Sequence, residues 1–280
     1  MNTSIRNPIF TGSFYPDNEV ALKQLIQNVY QAEKASINKA LAQKTLLGGI
    51  VPHAGYAYSG YEAIHFYDIL KQSQQHFDTI VVVNPNHTGY GSGWYNTSSY
   101  TQWETPLGTV DTDQAFMEAL DIEPNNRAHS LEHSGEVQLP FLQLYAEHPF
   151  AVVMITMNKQ TVPSAVSLAS KIKQAALQTG ERILLIASSD FSHHESPSKG
   201  YEKDQLVIDQ ILSLNSQNVF DVVQKHQVSA CGYGPIMTLI EYTRQVAQRP
   251  GIALLRRGNS GEVQPAAMVV DYISFLCYDA

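Results

Sequence analysis

The sequence predicts an α/β fold: one domain over residues 1–280, with a largely parallel central sheet and helices on both faces. Three observations carry this. Short apolar runs rich in β-branched residues recur along the chain. Amphipathic stretches with helical spacing separate them. No internal repeat or low-complexity linker divides the chain.

The elements follow in order. After Tyr15-Pro16-Asp17, residues Leu22, Leu25, Ile26 and Val29 keep helical spacing, with Asp17 or Asn18 as cap. TLLGGIVPH reads as a buried strand ending at Pro52. Ala63, Phe66, Tyr67 and Leu70 mark the next helix. DTIVVVNPNH reads as a second buried strand that stops at Asn84-Pro85. Residues 88–110 are rich in Gly, Ser, Thr and aromatics and predict a long loop or a hairpin excursion. EVQLPFLQLY, starting at residue 136, predicts a helix with Pro140 in its first turn or at a kink. FAVVMITM is a strand, and Val162, Ala165, Val166, Ala169 and Ile172 mark the helix after it. RILLIASSD is a third long strand. Helices around 200–214 and 236–248 follow, the second introduced by CGYGPI. IALLRRGN and AAMVVDYISFL read as closing strands.

Composition excludes several function classes. A formal net charge of -8 and the lack of any basic run argue against nucleic acid or an anionic membrane as partner. No apolar stretch reaches the ~20 residues of a membrane span, and the N-terminus has no secretory h-region. Two cysteines, Cys231 and Cys277, make no disulfide framework and fit a reducing, cytoplasmic compartment.

Chemistry concentrates at strand ends, where α/β sheets gather their sites. The first strand ends in Pro52-His53, the second in Asn86-His87, the third in Ser189-Asp190 with His193 just beyond. His53 and His87 are natural metal ligands as neutral imidazoles. A third ligand comes from Glu132, Glu136 or Asp190, or from Cys231, whose place before a helix predicts a depressed pKa. The pairs His133/Glu136 and Asp190/His193 have i, i+3 spacing, so each would point one way, with Asp190 orienting His193 as an acid/base group. Plainer readings stand beside these. Cys231 and Cys277 can be small buried hydrophobes. Asp190 can cap a helix from Phe191, and Glu136 can serve a helix dipole. Tyr56 and Tyr58 can be packing residues. His65, His76, His129, His148 and His226 read as ordinary surface or core residues.

VPHAGYAYSG, NPNHTGYG, WETPLGTV, LEHSGEVQLPFL, ASSDFSHHE and ACGYGPI together resemble the Memo family, whose prokaryotic members are called AmmeMemoRadiSam system protein B. The resemblance starts at TGSFYPD and runs through residue 236. It implies a fold similar to class III extradiol ring-cleaving dioxygenases, which use non-haem Fe(II). By resemblance the ligands fall on His53, His87 and Cys231, with Asp190 and His193 beside the metal. Cys231 stands where the dioxygenases place a carboxylate, and a thiolate favours Cu(I), Zn or thiolate-ligated iron. Within the family pattern, Gly135 replaces an aliphatic residue, Tyr233 an arginine and Asn84 a glycine.

The expected function is therefore a metal-dependent, oxidoreductase-like site. One metal ion is expected, Fe(II) foremost, with Cu or Zn as alternatives. Open positions would face the loop of Trp94 and Trp103. Tyr56, Asn86, His133 and Glu136 would surround the ligands and an unknown small-molecule substrate. Two other readings stay open. One is an adaptor for protein partners of a radical SAM-associated system. The other is a zinc or Cys-His-Asp hydrolase.

Overall fold

The computed structural model describes residues 4–280. Its elements are β1 (Ile5–Arg6), α1 (Glu19–Glu33), β2 (Thr45–Val51), α2 (Tyr56–Ser73), β3 (Thr79–Pro85), β4 (Tyr95–Asn96), β5 (Gln102–Thr105), β6 (Gly108–Asp111), α3 (Gln114–Leu120), α4 (Asn126–Ser130) and α5 (Leu139–Tyr145). They continue with β7 (Ala151–Met157), α6 (Val162–Thr179), β8 (Ile183–Ser188), β9 (His193–Glu195), α7 (Pro197–Leu212), α8 (Ser216–His226), α9 (Tyr233–Val246), β10 (Pro250–Asn259) and β11 (Val269–Asp279).

The main sheet has the order β10-β11-β2-β8-β3-β7-β4. Its centre, β2-β8-β3-β7, is parallel as expected. Its flanks are antiparallel: β10 and β11 form a hairpin that continues onto β2, and β4 folds back on β7. The sheet is thus mixed, because the closing strands are joined by a connection too short for a parallel crossover. The 88–110 excursion supplies β4 and β5, and the β5-β6 hairpin joins β1 in a separate three-stranded sheet.

Both faces of the sheet are covered. One packs against α3, α6, α7, α8 and α9 through residues such as Phe116, Leu168, Ile211, Val219 and Leu239. The other packs against α1, α2 and α5 through Ile26, Phe66, Phe141 and Leu142. The cap of α1 is Asn18, whose side chain accepts from the Ala21 amide. Pro140 sits in the first turn of α5, where its missing amide proton costs nothing, and Glu136–Gln138 is a single 3₁₀ turn before it. The chain also forms α3, α4 and α8, which periodicity alone does not reveal.

Two neighbouring glycines let helices approach β2 from opposite sides. A methyl on Gly48 would collide with the Leu185 carbonyl and meet Leu239 of α9 at 2.8 Å. One on Gly49 would strike the Phe66 ring of α2 and lie 2.7 Å from the Phe275 carbonyl. Successive residues of a strand face opposite sides, so the pair clears space in both layers. Gly48→Ala is expected to lower the unfolding free energy by about 3 kcal/mol or to prevent folding, as overpacking against backbone does. A urea midpoint equal to that of the unaltered chain would contradict this account.

Candidate metal centre

His53 lies two residues beyond β2, His87 two beyond β3 and Asp190 two beyond β8. Parallel, adjacent strands place all three on one rim. What turns the rings is a hydrogen-bond chain behind them. The Gln138 amide nitrogen donates to the Pro52 carbonyl at 3.0 Å and to Ser188 Oγ at 2.8 Å, and its oxygen accepts from Tyr67. The Ser188 hydroxyl spends its single proton on the Ser134 carbonyl, 2.7 Å away. His53 Nδ1, 2.9 Å from Ser188 Oγ, must then be a donor. Its Nε2 therefore carries a free lone pair, and it faces Cys231 Sγ at 3.1 Å.

His87 is set by the same logic. Its Nδ1 is 2.8 Å from Glu132 Oε1, and its backbone amide donates to Glu132 Oε2. Burial would raise the Glu132 pKa, but the His87 hydrogen bond and charge and the Ser134 hydroxyl together hold it down at about 2. An ionised carboxylate only accepts, so His87 Nδ1 donates to it and Nε2 is the nitrogen left for a ligand.

His133 completes the group. Its ring lies 5.3 Å from His53 and 4.6 Å from His87, centroid to centroid, under Phe14 and Phe10. One ligand atom from each of His53, His87 and His133 lies within 4.8 Å of the others. Burial, reinforced by the neighbouring imidazoles, pushes His53 well below the usual histidine range and His133 down to about 3. Both rings are neutral at physiological pH, the form that binds metal. Burial and then the Asp190 carboxylate push the Cys231 thiol well up. This reverses the expectation of a depressed pKa, because desolvation and a nearby anion outweigh the helix that starts at Tyr233. The thiol ionises in this setting only beside a cation.

Several expected contacts are not made. Asp190 does not orient His193 and caps no helix: its Oδ1 accepts the His53 backbone amide at 2.8 Å. His193 Nδ1 instead meets the Phe191 and Ser229 carbonyls at 2.7 and 2.9 Å. Glu136 turns away from His133. It accepts from Arg6, from Tyr15 at 2.6 Å and from the Ile9 and Phe10 amides. It thereby fixes the segment whose phenylalanines cover His133. Asn86 organises its own turn, accepting from Thr88 and Gly89 and donating to Tyr90 and Asn158. Tyr56 donates to the Val137 carbonyl and packs on Tyr15 and Phe141. Trp103 is buried in β5 against Arg6 and His129. Trp94 is exposed, and Tyr233 packs near Phe220.

Sequence reading passed over Ser134, Gln138 and Ser188. The first two lie in the LEHSGEVQLP block, and Ser188 immediately precedes the Ser189-Asp190 strand end. Gly135 and Asn84 meet in space: a methyl on Gly135 would stand 3.0 Å from Asn84 Oδ1.

The segment carrying His193 rests on a carboxyl pair. Asp204 of α7 accepts the Ser192 hydroxyl at 2.7 Å and its amide at 3.2 Å. Asp271 of β11 exchanges backbone hydrogen bonds with Phe191 and Ser192, and a methyl on Gly200 would press on it at 2.5 Å. Burial first, then hydrogen bonding to Asp204, pushes Asp271 up to about 8. The folded chain thus keeps a proton that the unfolded chain releases between about pH 4 and 8, and stability falls as pH rises through that window. Asp271→Asn retains a donor toward Asp204 without titrating. Its unfolding free energy should decline less from about pH 6 to 8 than that of the unaltered chain. Equal slopes in denaturant titrations would rule out the shared proton.

Comparison with known proteins assigns the chain to a family. A family model described as Memo-like protein matches residues 6–276. A MEMO1 family protein of Methanosarcina mazei is 35% identical over 263 residues, covering 92% of this chain and 93% of that protein. One from Sulfolobus acidocaldarius is 37% identical over 285 residues, covering 96% and 98%. A crystal structure of an uncharacterized Escherichia coli K12 protein aligns over 76% of this chain and 91% of its own, with 13% identity and a TM-score of 0.48, too remote to add to the assignment. Matched along nearly its whole length, the chain belongs to the Memo-like protein family.

Proposed function

We propose that this protein is a mononuclear metal-dependent oxidoreductase whose ion is held by His53 Nε2, His87 Nε2 and Cys231 Sγ, with His133 at its side. The observation that carries the reading is the commitment of both Nδ1 protons, to Ser188 and to Glu132, which leaves Nε2 of each ring for an ion, with the Cys231 thiol against that of His53. Two imidazoles and a thiolate suit iron, copper and zinc; iron comes first through the resemblance to non-haem iron enzymes. Such an ion, when bound, supplies redox or Lewis-acid chemistry to a small organic substrate.

The chain's own residues have separate tasks. Ser188 and Glu132 lock ring orientation, the outer-shell role that metal-ligating histidines need. Phe10 and Phe14 exclude water over His133. The His87 side chain is 34% exposed, against 19% for His133, so a substrate enters along the His87 edge. His193 holds its Nδ1 proton against two carbonyls, which leaves Nε2 free to take a proton from substrate and return it.

The 3.1 Å Cys231–His53 contact favours one other reading, a thiol–imidazole nucleophile. The raised thiol pKa and the adjoining Asp190 oppose it, since both suppress the thiolate unless a cation is present.

Metal analysis of anaerobically purified protein tests the proposal. The unaltered chain should hold about one ion, and His53→Ala and Cys231→Ser should lose it. Ser188→Ala and Glu132→Gln should weaken binding by about 10- to 100-fold while remaining folded. Equal metal content in all five proteins would overturn the ligand set. Rapid alkylation of Cys231 at neutral pH after chelation would favour the nucleophile instead.

A further inference from the structure

On the α1, α2 and α5 side of the sheet lies an open groove of about 690 Å³. Its floor is Asp68, on α2. The residue is 1% exposed, and its Oδ2 is buried with no hydrogen-bond partner among the described residues. A buried carboxylate without a partner is costly and is normally retained only where something else completes it.

The basic side chains that line the groove are already paired. Lys23 is 2.6 Å from Glu19, and Lys71 is 3.4 Å from Glu147. Tyr30, Leu144 and Tyr145 line the groove above the carboxylate. Burial, with the Asp68 charge adding to it, pushes the Tyr145 hydroxyl up, so it stays a neutral donor. The Lys71 ammonium already lies 5.7 Å from the centre of the Tyr145 ring, so that aromatic face accepts a cation. The groove therefore offers a buried carboxyl oxygen without a hydrogen bond, phenol rings on its walls and aliphatic surface between them. That combination selects a positive head group on an apolar body.

We propose that this groove binds an ammonium or guanidinium group carried on an apolar stem, with Asp68 as counter-ion and Tyr30 and Tyr145 as walls. The stem covers Leu144 and the tyrosine rings, and the head group replaces water at Asp68. The volume suits a ligand larger than a bare ion. The head group belongs either to a free amine or to a lysine or arginine side chain of another protein. The groove is separate from the metal centre: Asp68 is twelve residues along α2 from Tyr56, which at 1.5 Å per residue is about 18 Å. The inference stands whether or not the metal reading holds.

The test is an NMR titration of the full chain with cadaverine, agmatine and a blocked Leu-Arg-Leu peptide, with pentanol as the uncharged control. At least one cation should bind with a Kd below about 1 mM, and Asp68→Asn should weaken it by about tenfold or more. The same variant should keep its metal content and should not melt below the unaltered chain, since it removes a buried charge that nothing in the fold uses. Tighter binding of the free amines identifies a metabolite site; tighter binding of the peptide identifies a docking point for a basic side chain. Three results would overturn the proposal: no cation bound at about 10 mM, binding indifferent to Asp68→Asn, or pentanol bound as well as the amines.

Discussion

Ser188 has one proton to give, and it gives it to the Ser134 carbonyl. Every other group around that oxygen must then donate, which fixes the Gln138 amide and the His53 tautomer together. The same contacts tie the end of β8 to the turn that carries His133 and to Pro52 at the end of β2. The ends of two strands and one turn are thereby held in a single register. The coordinating nitrogen of His53 is an outcome of this proton count rather than of the histidine alone. Glu132 repeats the arrangement at His87, with a carboxylate in place of the hydroxyl.

The N-terminal segment depends on that turn as well. Glu136 is fully engaged by Arg6, Tyr15 and two backbone amides, so a buried charge is both paired and hydrogen-bonded. Arg6 also donates to the His129 and Glu132 carbonyls. The segment that shields His133 and the segment that contains it therefore share one ion pair. Removing either partner would leave the other charge buried and loosen the cover of the site.

Electrostatics then divides the labour. Burial keeps His53 and His133 neutral and the thiol protonated, so these three groups bring no positive charge next to Asp190 and Glu132. A cation entering the pocket would satisfy the imidazole lone pairs, the thiol and the carboxylates at once, which is the physical sense in which the donor set fits a metal ion.

The sequence by itself determined the parallel centre of the sheet, because buried strands need continuous β-branched runs and such runs can be read directly. It also placed His53, His87 and Asp190 on a common rim, since strand ends in parallel sheets converge. Only the tertiary structure decided what those residues touch. Asn86, Tyr56 and Glu136 sit near the rim in sequence, yet their polar atoms are claimed by a turn, a carbonyl and the N-terminal segment, while the Trp103 ring lies buried against Arg6. Asp190 serves His53 rather than His193. The antiparallel flanks, the second small sheet and the unpaired carboxylate of Asp68 were likewise invisible, because hydrogen-bond partners and counter-charges come from residues distant in the chain. Periodicity reports which way a side chain faces; only the folded chain reports what it meets there.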